Sequence, residues 1–135
     1  MKAVIDPSGF LADVRTSRMS EDEHVEFITA IAANPDQGEI IRESGGARKI
    51  RMAGRGKGKS GGYRLVFYPA PPDVPVLMLA IINKGERATL SKAETNALRK
   101  ELAGYVKDYR ASVSKKVEEL RRRRRRRGWA SWDGD

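Results

Sequence analysis

Two neighbouring stretches of this chain gather side chains suited to handling a phosphodiester. In ARKIRMA (residues 47–53), Lys49 and Arg51 are two apart. In an extended strand they share one face, and Arg48, Ile50 and Met52 take the other. GRGKGKSGGYR (residues 54–64) follows, with four cations and five glycines. It ends in Arg64, at the start of the apolar run YRLVFY. That run alternates too, with Arg64, Val66 and Tyr68 opposite Tyr63, Leu65 and Phe67. Seven basic residues and no acidic one lie between Arg48 and Arg64. If the two runs pair as a hairpin, Lys49, Arg51 and Arg64 come near one another on a solvent face. Lys84 and Arg87, in the loop KGERATL, border the same face.

Such a cluster fits RNA cleavage by attack of a ribose 2′-hydroxyl. That reaction needs a base, a donor for the departing 5′-oxygen, and positive charge on the nonbridging oxygens. Imidazole is the usual choice for the first two, but the chain holds one histidine, His24. It lies inside a helical pattern among acidic residues and reads as a surface helix residue. Lysine and arginine are left to act. A lysine crowded by like charges gives up its proton more readily, and Lys49, between Arg48 and Arg51, is the candidate. The chain has no cysteine, and no paired carboxylates or metal-ligand spacing are evident, so no metal or other cofactor is expected. GRGKGKSGG resembles a phosphate-binding P-loop only superficially. Its lysines are misplaced for that motif, and a strand follows instead of a helix.

The elements that must position these groups can be read along the 135 residues. Residues 2–5 suit a short strand, ended by Asp6-Pro7-Ser8-Gly9. A weak helical pattern covers 10–18. Ser20 and Glu23 have capping-box spacing, and Val25, Ile28, Ile31 and Ala32 recur at helical intervals, so 25–33 is read as core. Asn34-Pro35 ends that helix. Residues 38–46 read as a loop anchored by Ile40 and Ile41. After the two basic strands, PAPPDVP turns the chain, and VLMLAIIN (76–83) reads as a strand buried on both faces. Ser91 and Glu94 form a second capping box, opening a long helix with an apolar stripe through Leu98, Leu102, Tyr105, Val106, Tyr109, Val113, Val117 and Leu120. The fold class is therefore α+β: a small antiparallel sheet of about four strands, packed on one side by two N-terminal helices and a long C-terminal helix.

Net charge is +9, and residues 121–135, with seven arginines and two aspartates, carry over half of it. A polyanionic partner is the direct physical reading, a solvated basic face the plainer one. The run of seven arginines repels itself and is expected to be mobile, or only marginally helical, without an anion. No apolar run is long enough for a membrane span. The opening MKAVIDPSGF has neither a long apolar stretch nor a small-residue cleavage site, so a cytoplasmic protein is expected. The chain divides into a domain over 1–103, a helical extension over 104–120 and the arginine-rich tail over 121–135.

Over residues 20–102 the sequence resembles the RelE/HigB-like toxins of bacterial type II toxin–antitoxin modules, in the RelE/ParE superfamily. The resemblance rests on NPDQG, GGARKIRMA, GRGKGKSGGYRLVFY and INKGERATLS, in that order and spacing. It implies the fold just derived and a ribosome-dependent endoribonuclease that cuts mRNA in the A site with basic side chains and no metal. It also implies silencing by a cognate antitoxin, expected to be of helix-turn-helix type, with contacts reaching the basic face or the last helix. Operator DNA would be met through that complex. By position, Lys49 and Arg51 match the basic pair of the family's second strand. Arg64 matches the arginine thought to hold the scissile phosphate. Lys84 and Arg87 match basic residues before the final helix, where KGER stands for the commoner KNEK. Catalysis is assigned to these five. RNA contact is assigned to Arg48, Arg55, Lys57, Lys59, Tyr63 and, in the tail, Arg121, Arg122, Arg123 and Arg124. Tyr63 and Tyr68 also admit a plainer reading as core or rim aromatics. Ser91 lies near where some members carry a base-stacking tyrosine, and residues 103–135 extend past the family's usual end. The alternatives are a non-enzymatic ParE-like gyrase inhibitor, or a nucleic-acid-binding protein with a degenerate core.

Overall fold

The computed structural model describes residues 1–54, 62–82 and 90–128. Eight elements follow in order: β1 (Val4–Ile5), α1 (Ser8–Ser17), α2 (Glu21–Ala33), β2 (Glu39–Ile40), β3 (Arg48–Met52), β4 (Tyr63–Tyr68), β5 (Val76–Ile82) and α3 (Lys92–Arg126). The fold is α+β with a long C-terminal helix, as expected. The sheet has five strands in the order β1-β5-β4-β3-β2. It is mixed rather than purely antiparallel, because the N-terminal strand adds to the β5 edge in parallel, with Val4 beside Val76.

Both capping boxes form. The Ser20 hydroxyl accepts from the Glu23 amide, and the Glu23 carboxylate accepts from the Ser20 amide; Ser91 and Glu94 do the same for α3. These bonds satisfy amides that the first helical turn leaves without partners. Glu23 is buried and serves twice, since its Oε1 also accepts from the Tyr63 hydroxyl at 3.3 Å.

One face of the sheet carries the core. Tyr63, Leu65 and Phe67 of β4 and Val76, Met78 and Ile81 of β5 pack with Phe10 of α1 and with Phe27 and Ile31 of α2. The apolar stripe of α2 runs through Phe27 and Ile31, four apart, rather than starting at Val25, which is 60% exposed. β5 alternates instead of burying both faces: Val76, Met78 and Ile81 point into the core, while its other residues are half-buried. The register slips between Val66 and Phe67, whose partners on β5 are Ala80 and Met78. Near this bulge the Ile81 amide donates to Asp13 Oδ2 of α1 at 3.1 Å. Residues 38–46 are not anchored by Ile40. That residue sits in β2 and is 56% exposed, while Ser44 and Ala47 are the buried members of the region.

α3 does not join α1 and α2 on their side of the sheet. Its ring partner is Tyr68, which alternates with core-facing Phe67 along β4; the Tyr68 and Tyr105 rings lie 6.3 Å apart, nearly edge-on. Further pins come from loops. Arg99 Nη1 donates to the Glu43 carbonyl at 3.0 Å, the Tyr105 hydroxyl donates to the Pro75 carbonyl at 2.7 Å, and Arg110 holds both carboxylate oxygens of Asp73 at 2.8 and 2.9 Å. The Arg110 hydrogen bond keeps the Asp73 carboxyl below its ordinary range, and burial pushes the Tyr105 phenol up. The proline turn itself is gripped from the N-terminus, where Lys2 Nζ donates to the carbonyls of Pro69, Ala70 and Pro71 at 2.6 to 3.1 Å.

No break in α3 falls at either extension boundary read from the sequence. The helix passes through Gly104 and runs into the arginines as far as Arg126. Arginine is a good helix former, and cations in the last turn offset the negative end of the helix dipole, which counters their mutual repulsion. Among the described residues, no helix is long and apolar enough to cross a membrane.

Candidate functional site

The basic face is assembled by strand register. β3 and β4 pair antiparallel, with Arg51 directly across from Arg64 and Lys49 across from Val66. On the next strand Arg64 faces Ile82 and Val66 faces Ala80; on the other side Glu39 of β2 faces Lys49. Directly opposed residues have Cβ atoms roughly 5 Å apart, and diagonal neighbours sit about 7–8 Å apart. Three cations thus share one patch of the sheet face. The patch is concave: a hollow of about 290 Å³ is lined by Glu39, Lys49, Ile50, Arg51, Arg64 and Ile82.

Arg51 is exposed, and Lys49 and Arg64 are half-exposed. Among the described residues, no hydrogen bond or ion pair ties any of these three to an internal carboxylate. Like charges placed directly opposite across a strand pair are destabilising. An arginine facing an arginine is a local conflict that a bound anion would relieve.

Not every residue read as basic-face or RNA-contacting belongs there. Tyr63 points the other way; it is 5% exposed, and its ring packs 5.6 Å from that of Phe27. Period two puts it on the core side of β4, so it offers no stacking surface. Arg48 also alternates off the face. It stands opposite Phe67, and its Nη1 donates to the Gly38 carbonyl at 3.3 Å. Lys84, Arg87, Arg55, Lys57 and Lys59 lie outside the described residues. Arg121, Arg122, Arg123 and Arg124 are on α3, more than two turns past Arg110, whose guanidinium holds Asp73.

Glu39 was not anticipated. Two residues of β2 are too short for an alternating signal, so nothing in the sequence places a carboxylate beside Lys49. The close approach does have a trace in Gly38. Its φ is +87°, and a Cβ there would meet the Lys49 carbonyl oxygen at 2.7 Å, so only glycine lets β2 lie this near β3. His24 is less free than a surface helix residue. Its Nε2 lies 3.3 Å from Asp6 Oδ2 and its ring 6.1 Å from that of Phe10, on the helix-covered side of the sheet. Among the described residues, no group of three His, Asp or Glu side chains converges as a metal site.

No known family model matches the chain.

Proposed function

We propose that this protein is a RelE/HigB-like toxin: an endoribonuclease that cuts mRNA on the ribosome and stops translation, held silent by a cognate antitoxin. One observation carries the reading. Arg51 and Arg64 oppose each other across β3 and β4, with Lys49 one pleat away, over an open hollow. In this mechanism the two guanidiniums take the nonbridging oxygens of the scissile phosphate. As the 2′-oxygen attacks, negative charge builds on those oxygens, and preplaced cations stabilise it without reorganising. Lys49, as an ammonium, gives a proton to the departing 5′-oxygen, and the proton of the attacking 2′-hydroxyl passes to water. Glu39 stands opposite Lys49 in the strand register, and in this mechanism its carboxylate orients that ammonium. The antitoxin acts by covering this face or α3.

The test uses purified protein with translating ribosomes and maps the new RNA 5′ ends. Wild type is expected to generate discrete ends in the A site. Arg64→Ala should lower the cleavage rate by about 10²- to 10³-fold, the usual cost of losing one transition-state donor. Absence of cleavage by wild type, or undiminished cleavage by Arg64→Ala, rejects the assignment.

A further inference from the structure

The C-terminal end of α3 carries a second concentration of charge. At 1.5 Å per residue, Arg126 stands about 25 Å past Arg110 along the helix axis. Residues 111–116 are all exposed, and beyond them only Val117, Glu119 and Arg124 are partly covered up to residue 128. At about 100° per residue, Val113, Val117 and Leu120 fall within an arc of roughly 60°. Arg121, Arg122, Arg123, Arg125 and Arg126, all exposed, spread over roughly 200° of the remaining circumference.

Three ligand classes could meet such an arm, and the residue pattern separates them. A helix lying in a lipid interface keeps an apolar face along its length. Here the apolar stripe stops at Leu120, and its next two positions are Arg124 and Arg127. Single-stranded nucleic acid is gripped by aromatic stacking as well as charge; the described part of the arm past Arg110 has no aromatic side chain, and Trp129 and Trp132, which follow the arginines, lie outside the described residues. A duplex groove requires neither. A helix in a groove is flanked by phosphates on two sides, which suits arginines spread over more than half a turn, and a B-form major groove about 12 Å wide admits an α-helix.

We propose that the last two turns of α3 form a second, sequence-independent nucleic-acid site that binds the phosphates flanking a duplex groove. This site is independent of the cleavage chemistry assigned to β3 and β4. The shared ligand chemistry is the double row of phosphates, found in DNA and RNA duplexes alike. A-form RNA has a deep, narrow major groove, so the DNA duplex is expected to bind more tightly.

The experiment measures fluorescence anisotropy of labelled 20-base-pair DNA and RNA duplexes titrated with the full chain between 50 and 200 mM salt. Three variants accompany wild type. In two, Arg121, Arg122, Arg123, Arg125 and Arg126 are all replaced, by Gln or by Lys; the third is Lys49→Ala/Arg51→Ala/Arg64→Ala. Five neutralised phosphates give a log–log salt slope of about −4.5, a loss of several hundred-fold in affinity over that range. The Gln variant, checked for retained helix by circular dichroism, should lose most of this affinity and slope, the Lys variant should keep the slope, and the triple-Ala variant should still bind. Equal affinity and slope in wild type and the Gln variant would overturn the proposal. So would loss of binding in the triple-Ala variant alone, or tighter binding to phosphatidylserine vesicles than to either duplex. Ribosome cleavage by wild type without tail-dependent duplex binding would sink this site and leave the nuclease reading intact.

Discussion

Among single residues, the Arg51–Arg64 pair departs furthest from what stability alone would select. Two guanidiniums face each other across a strand pair without a carboxylate tied to either among the described residues. Cross-strand pairs are worth about 0.2–1 kcal/mol, and a like-charged pair has the unfavourable sign. Arg64→Gln should therefore raise the melting temperature by up to a few degrees at low salt while removing cleavage. The gain should shrink at high salt, where the repulsion is screened. Differential scanning calorimetry at two ionic strengths reads both effects, and a lower melting temperature at low salt would mean that Arg64 supports the fold instead of burdening it. Lys49 and Arg51 were legible as face-sharing cations because a strand has period two. Period two also sent Tyr63 and Arg48 to the other face, but it could not say which face the helices would cover.

Among the elements, α3 shows how far local rules reach. Its start was legible in Ser91 and Glu94, since a capping box is a local hydrogen-bond exchange. Its end was not, because arginine has both high helix propensity and strong mutual repulsion, and composition alone does not decide between them. Gly104 sits inside the helix with nothing within 4 Å of where a Cβ would be. Glycine in an exposed helix interior costs about 1 kcal/mol relative to alanine. Gly104→Ala is accordingly expected to stabilise the protein by up to about that amount. Urea denaturation would show a higher midpoint at unchanged slope; a lower midpoint would imply a close neighbour at Gly104 that the structure does not have.

At the level of the whole molecule, the chain has a packed part and a projecting part. The packed part is one core shared by α1, α2, β4 and β5, with α3 held on the far side by Tyr105, Arg99 and Arg110. Between residues 111 and 128 the partly covered positions are Val117, Glu119 and Arg124. A chain ending at residue 112 should keep its unfolding free energy within about 1 kcal/mol of the full chain, since hydrophobic stabilisation follows buried apolar area. Chemical denaturation of the two forms makes the comparison, and a markedly less stable short form would mean that the distal helix packs onto the domain.

The sequence by itself determined the local terms: which segments alternate, where helices begin, which residues bring positive charge, and the order of elements that makes an α+β fold. Each of these follows from interactions within a few residues. Only the tertiary structure decided who meets whom. The pairing of Arg51 with Arg64, the arrival of Glu39 beside Lys49, the parallel docking of β1 and the placement of α3 across the sheet from α1 and α2 all depend on contacts between distant segments. Their register is set by how apolar faces are buried together, and no single segment contains that information.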